Sequence, residues 1–215
     1  MQIAELILRF IEAVIWPVVT IFLLFLFKDE LSKLLERAKK VDLPGGISIQ
    51  TFENKLKEAK QLDKEIKSER KPEIAELLKK NFDETEINKK MIELGLKPSP
   101  SGLDMDYYRE LYQTDKQLAM AGLRMDLELM LRNLAKGFKL EIKERLPVTK
   151  VISSLLDKRH ITYKQAEFMK IILQLTGYAV HGGQITEEQV DSMFELGETL
   201  VEDYIAWLDW GFKNV

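Results

Sequence analysis

The side chains best suited to chemistry are scarce in this chain of 215 residues. It has two histidines, His160 and His181, and no cysteine. These numbers exclude disulfides, thiolate metal ligands and a histidine-rich metal site, so we expect no metal and no cofactor. His160 follows Arg159 in a predicted turn, where a solvated or capping role is expected. His181 ends a predicted helix just before two glycines, where it can cap the helix or pack at a dimer interface.

An uncharged run occupies residues 13–27, and residues 28–40 carry five basic side chains. Fifteen helical residues span only about 22 Å, less than the roughly 30 Å hydrocarbon core of a bilayer. Starting the helix at residue 3 gives roughly 37 Å. The added turns carry three charged side chains on one helix face, Glu5, Arg9 and Glu12. The sequence therefore predicts a single transmembrane helix within an anchor and juxtamembrane segment, residues 1–41.

The charges around this run predict its orientation. One basic residue precedes the run and five follow it, so the positive-inside rule places the amino terminus outside and the rest in the cytoplasm. A signal peptide is the alternative interpretation, but the charged residues 28–30 directly after the run disfavour cleavage. We therefore expect a single-pass protein of the inner (plasma) membrane with the lipid bilayer as a partner.

Residues 42–102 have the pattern of a charged helical connector. Alternating apolar and polar residues at 47–52 predict a short strand after a Pro-Gly-Gly stop. Residues 52–70 are dense in Lys and Glu and predict a solvated helix or weak coiled coil rather than core. Two short helices follow, and the Lys-Pro-Ser-Pro-Ser-Gly segment at 97–102 marks a domain boundary.

Residues 103–215 predict a helical bundle. Apolar residues at helical spacing indicate one long helix over about 107–138, with Met120, Met125 and Met130 assigned to the core. Two capping boxes, Thr162 with Gln165 and a second pair at 186 and 189, predict later helix starts. Trp207 lies beside the apolar face of the last helix and is expected to pack in the core, although a partner-binding role for it stays open.

Charge argues against nucleic acid as a partner. Residues 28–97 hold 17 basic and 15 acidic side chains, and residues 98–215 hold 14 basic and 18 acidic. Residues 186–211 contain eight Asp or Glu and no Lys or Arg, so this helix should repel a phosphate backbone. Any RNA would have to bind elsewhere on the chain.

Three sequence segments resemble a known family. They are LRMDLELMLRNLA at residues 123–135, YAVHGG at 178–183 and LPGGI at 43–47. Together they are similar to the HEPN-type helical domains, closest to the DUF4145-like branch of bacterial proteins with a membrane anchor. The resemblance implies a mainly α fold with a bundle of four or more helices, commonly dimeric. In active relatives it implies a metal-independent ribonuclease.

The resemblance carries over only half of the family's catalytic pair. His181 matches the family's histidine, which transfers a proton to or from the 2'-hydroxyl or the leaving oxygen, while an arginine a few residues earlier stabilises the phosphorane. Residues 175–177 contain no basic side chain. Lys170 is about 16 Å away along the helix, too far to serve the same phosphate. Arg132, on another predicted helix, is the remaining candidate.

Three functions follow from these observations. The first is a membrane-anchored cytoplasmic interaction module, non-catalytic, that forms a homodimer or binds another protein. The alternative is a HEPN-type ribonuclease effector of a toxin or phage-defence system that uses His181. The third is an accessory subunit of a membrane complex. The missing arginine favours the first.

Overall fold

The computed structural model describes residues 16, 27, 49–78, 84–143, 145–209 and 212. The chain divides into two compact units, Met1–Asp42 and Leu43–Val215. Most of the predicted anchor lies outside the described residues. Among those that are described, no helix is both long enough and apolar enough to cross a bilayer.

The second unit is all-α over its described residues, which contain no strand and confirm the mainly α fold class. Its helices are α1 Ile49–Glu69, α2 Pro72–Leu77, α3 Glu84–Glu93, α4 Met105–Thr114, α5 Lys116–Gly137, α6 Val148–Asp157, α7 Tyr163–Val180 and α8 Glu187–Asp209. Helix α5 is central and packs against α4, α6, α7 and α8. Helix α1 packs on α7 and α8.

The predicted strand at residues 47–52 is wrong for its described part, because residues 49–52 form the first turn of α1. Phe52, Leu56, Ala59 and Ile66 are buried at helical spacing along α1. The Phe52 ring lies 5.0 Å from the ring of Tyr178 on α7. This tertiary packing outweighs the short alternating pattern on which the strand prediction depended.

The same burial corrects the prediction for residues 52–70, which were expected to form a solvated helix outside the core. Their Lys and Glu side chains occupy one face of α1, and the opposite face packs on the bundle. The boundary predicted at 102 and 103 falls inside the Leu43–Val215 unit.

The single long helix predicted over 107–138 is also wrong, because it is interrupted at Asp115. This residue is extended (φ −143°, ψ 97°), and its side chain accepts a hydrogen bond from the Leu118 backbone N–H at 2.9 Å. It therefore caps the start of α5. The apolar periodicity continues through the break because α4 and α5 both bury a face in the same core.

Both predicted capping boxes are confirmed. At the start of α7 the Gln165 N–H donates to Thr162 Oγ1 at 3.2 Å, and the Thr162 N–H donates to Gln165 Oε1 at 3.0 Å. Thr186 and Gln189 make the same pair of bonds before α8, at 3.3 and 2.9 Å. These local signals fix where α7 and α8 begin.

Candidate functional site

The two residues considered for catalysis lie at different places in the bundle. His181 is the exposed C-cap of α7, and its backbone N–H donates to the Gly177 carbonyl at 3.1 Å. Arg132 lies in the last third of α5, where its Nη2 donates to the Leu146 carbonyl at 2.9 Å.

The start of α5, not its end, lies beside His181. The Gln117 side chain approaches Gly182, with Nε2 3.9 Å from the position that a glycine Cβ would occupy. Arg132 comes fifteen residues after Gln117, about 22 Å further along α5. The fold therefore does not bring Arg132 to His181.

A different arginine, Arg124, lies much nearer and was missed in the sequence. Its Nη1 donates to the Leu173 carbonyl at 2.5 Å, and its Nε is 3.1 Å from Glu128 Oε1. The same Nη1 is 2.5 Å from where a Cβ on Gly177 would be. His181 follows Gly177 by four residues, one turn or about 6 Å along α7. Gly177, a glycine in the interior of a helix, is the sequence feature that indicates a close approach by another part of the chain.

His160 is half-buried, and its ring stacks on Phe138 with centroids 4.1 Å apart and planes at 9°. Of the two roles expected for His160, the solvated one is replaced by an aromatic contact that joins the ends of α5 and α6. The capping role agrees with its backbone N–H, which donates to the Leu155 carbonyl at 2.9 Å at the end of α6. Trp207 is half-buried and packs edge-on against Phe138 at 6.4 Å, as the core prediction requires.

A buried carboxylate, Asp126 on α5, forms the centre of a polar cluster. Its Oδ2 accepts from Ser99 Oγ at 2.9 Å, from Tyr108 Oη at 2.6 Å and from Ser101 Oγ. Burial raises the pKa of the Tyr108 hydroxyl, with the Asp126 carboxylate as a second cause. Because all three hydroxyls donate to Asp126, this cluster holds the loop before α4 against α5 rather than presenting groups to a substrate.

One charged cleft is lined by α1, α2, α7 and α8. The Arg70 guanidinium lies 2.9 Å from Asp203 and 2.7 Å from Glu202, and Asp203 Oδ2 also accepts from Gln165 at 3.4 Å. Burial raises the pKa of Asp203 above its usual value, although Arg70 acts in the opposite direction. The cation and both carboxylates are used within the fold, where they join the residue after α1 to α8.

Among the described residues, an apolar stripe lies on the outer face of α5, and we call it the α5 stripe: Leu118, Ala121, Met125 and Leu129. Met125 is 69% exposed and Leu118 is 55% exposed, while Ala121 and Leu129 are half-buried. Met120 and Met130, in contrast, are 1% and 3% exposed. The core assignment of Met125 is therefore wrong, and that of the other two methionines is confirmed.

The described part of the chain contains no group of three or more acidic, histidine or cysteine side chains that could hold a metal ion. Comparison with known proteins gives no match to a family model, to a curated protein or to a solved structure. The candidate site is therefore defined by the geometry of α5 alone.

Proposed function

We propose that the protein is a membrane-tethered helical interaction module that self-associates through the α5 stripe. The stripe supports this because it is an apolar surface on the central helix that extends over three turns, and two of its side chains, Leu118 and Met125, are more than half exposed. Exposed apolar surface of this kind is typical of protein interaction sites.

The energies suit association that depends on a tether. Complete burial of a Leu or Met side chain stabilises by about 1.5–3 kcal/mol. Leu118 and Met125 are each more than half exposed, so their full burial would add about 1–2 kcal/mol of stabilisation for each side chain. Two copies together supply about 4–8 kcal/mol, similar to the lower end of the roughly 4–15 kcal/mol cost of association. Confinement to a membrane lowers this cost by raising the effective concentration. The predicted helix within residues 1–41 would supply that confinement, with the bundle on the cytoplasmic side.

The test is energy transfer between donor- and acceptor-labelled copies of the full chain in liposomes, measured as the protein-to-lipid ratio is varied. We expect transfer that rises with surface density and is lost in Met125→Glu, because a carboxylate cannot be buried in the paired stripe. Tyr163→Glu is the matched control, since Tyr163 is equally exposed (68%) but lies on α7. Equal transfer for Met125→Glu and the wild type would contradict the proposal.

The tether is tested separately by alkaline extraction of membranes. The full chain should remain with the lipid, and Leu23→Arg, which places a charge in the apolar run, should release it. Release of the wild-type chain by alkali would remove the tether from the proposal.

A second candidate is the HEPN-type ribonuclease, favoured by one observation, the approach of Arg124 to Gly177 one turn before His181. Arg124 could supply from α5 the cation that α7 lacks within one turn of His181. The experiment is degradation of single-stranded RNA by the full chain without added metal. Cleavage lost in both His181→Ala and Arg124→Gln, but kept in Arg132→Gln, would place this candidate first. No cleavage above the level of His181→Ala would exclude it.

A further inference from the structure

The turn that follows α7 is covered by a side chain of the helix itself. We call residues 181–183 the His181 turn. Their three N–H groups donate to carbonyls in the last turn of α7, and that of Gly183 donates to the Tyr178 carbonyl at 2.9 Å. Gly182 has φ +81°, the left-handed conformation in which helices commonly end. A Cβ at Gly183 would collide with the Tyr178 ring, so this ring lies directly on the backbone of the turn.

The same ring also contacts the first turn of α1. Phe52 is 1% exposed, and its ring centroid lies 5.0 Å from that of Tyr178, with the two planes at 38°. Tyr178 itself is 2% exposed. One buried side chain therefore joins the start of α1 to the His181 turn, although these segments lie far apart in the sequence.

The Tyr178 hydroxyl works against this contact. It is buried, and it has no hydrogen-bond partner in the described part of the chain. Buried hydroxyl groups normally have a partner, because in water they donate and accept hydrogen bonds that the interior must replace. The position of Phe52 is therefore stabilised by apolar burial and opposed by the unpaired hydroxyl next to it.

We propose that Phe52 and Tyr178 form a latch, through which the start of α1 controls the conformation of the His181 turn. In the closed state Phe52 holds the Tyr178 ring on Gly183. When the first turn of α1 moves away, the Tyr178 hydroxyl gains water as a partner, and the ring is free to leave the backbone of the turn. The latch does not depend on self-association through the α5 stripe.

The latch lies where the chain enters the bundle. Helix α1 is the first described helix of the second unit, and it follows the residues in which an anchor is predicted. The other end of α1 is attached differently, by ion pairs from Lys164 on α7 to Glu65 at 2.8 Å and to Glu69 at 2.6 Å. The start of α1 can therefore open while its end stays bound. A change in the chain before α1 would reach His181 in this way without unfolding the bundle.

Amide hydrogen exchange of the full chain in detergent micelles tests the latch. It is read at residues 53–55, whose N–H groups donate to the first turn of α1, and at residues 181–183. Tyr178→Phe removes the unpaired hydroxyl and keeps the ring. We expect exchange at both places to slow by about ten-fold, because opening no longer hydrates a hydroxyl.

Tyr108→Phe is the matched control for the loss of a hydroxyl. Tyr108 is also buried (3% exposed), but its hydroxyl donates to Asp126 at 2.6 Å. Its removal should accelerate exchange in α4 and should slow exchange at neither end of the latch. Unchanged or faster exchange in Tyr178→Phe would show that the unpaired hydroxyl does not favour opening, and the proposal would be overturned.

Phe52→Leu tests whether the two segments are coupled. Leucine keeps an apolar side chain at this position of α1 but removes the ring that contacts Tyr178. Exchange at residues 181–183 should accelerate about five-fold, although Phe52 does not belong to the turn. Ile66→Val, a truncation near the other end of α1, is the control and should leave the turn unchanged. Faster exchange at residues 53–55 alone would show that the segments open independently, which would also overturn the latch.

Discussion

Replacement of Asp126 by alanine would remove the shared acceptor of three hydroxyl groups in the interior. Ser99 and Tyr108 donate to its Oδ2 at 2.9 and 2.6 Å, and Ser101 is the third donor. The two serine hydroxyls in turn accept from backbone N–H groups, among them that of Leu103 at 3.1 Å. The carboxylate therefore fixes the loop before α4 through two layers of hydrogen bonds.

The expected loss of stability follows from these contacts. A buried donor without a partner costs about 1–3 kcal/mol, and three are affected. The serine hydroxyls lie 3.2 Å apart and can partly satisfy each other, which lowers the total. We expect Asp126→Ala to reduce the free energy of unfolding by about 4 kcal/mol. For a domain of this size the midpoint of thermal unfolding would fall by roughly 8–16 °C.

Urea and thermal unfolding followed by circular dichroism would measure this loss, and amide hydrogen exchange would locate it. Exchange at Ser101 and Leu103 should accelerate most, because their N–H groups donate to the serine hydroxyls. Asp157→Ala, at an exposed carboxylate, is the control and should change stability by less than about 0.5 kcal/mol. A loss below about 1 kcal/mol for Asp126→Ala would refute the role assigned to the cluster.

Three further predictions concern packing and charge. Phe52→Ala should cost about 3–5 kcal/mol in denaturant unfolding, because its ring is 1% exposed, whereas a solvated helix would lose almost nothing. Arg70→Met should destabilise by about 3 kcal/mol at pH 7, since Asp203 keeps a buried charge. The pKa of Asp203 is raised, so its ionised form is unfavourable in the fold. The stability lost in Arg70→Met should therefore become smaller as the pH is lowered through the pKa of Asp203, which unfolding measured at several pH values would show. Gly177→Ala should lower the free energy of unfolding by about 1 kcal/mol, because its methyl group would displace Arg124 from the Leu173 carbonyl. In the Arg124→Ala variant the same change should be stabilising, because only the higher helix propensity of alanine acts there.

Helix starts could be predicted from the sequence where the determining contacts are local. Thr162 and Gln165 bond to each other's backbone within one turn, so their spacing alone is informative. Asp115 forms a cap of the same local kind, but the apolar period on both sides of it concealed the break. Within a long periodic segment, a capping residue therefore indicates a helix boundary more strongly than the apolar period indicates that the helix continues.

The contacts of the candidate sites could not be predicted in the same way, because they depend on which helix faces are covered. Met125 is the exception: it lies about 200° around the helix from the buried Leu123, so the helical period alone could have placed it on the outer face. The contact of Arg124 with α7 joins residues 49 positions apart, beyond the range of any local pattern. For α1, burial of Phe52 against Tyr178 decided between strand and helix where six alternating residues could not.

The residues that form the apolar surface of α5 are not the ones that stabilise the fold, so we expect assembly and stability to be changed by different substitutions. Leu118 and Met125 are mostly exposed, so they contribute little to the stability of one copy, whereas Asp126 and Leu123 on the same helix are buried in the core. Substitutions on the outer face of α5 should therefore change assembly without unfolding the bundle, and substitutions on the inner face should do the reverse. If a change at Met125 lowered both together, the stripe would belong to the fold, and the basis for treating it as an interface would be lost.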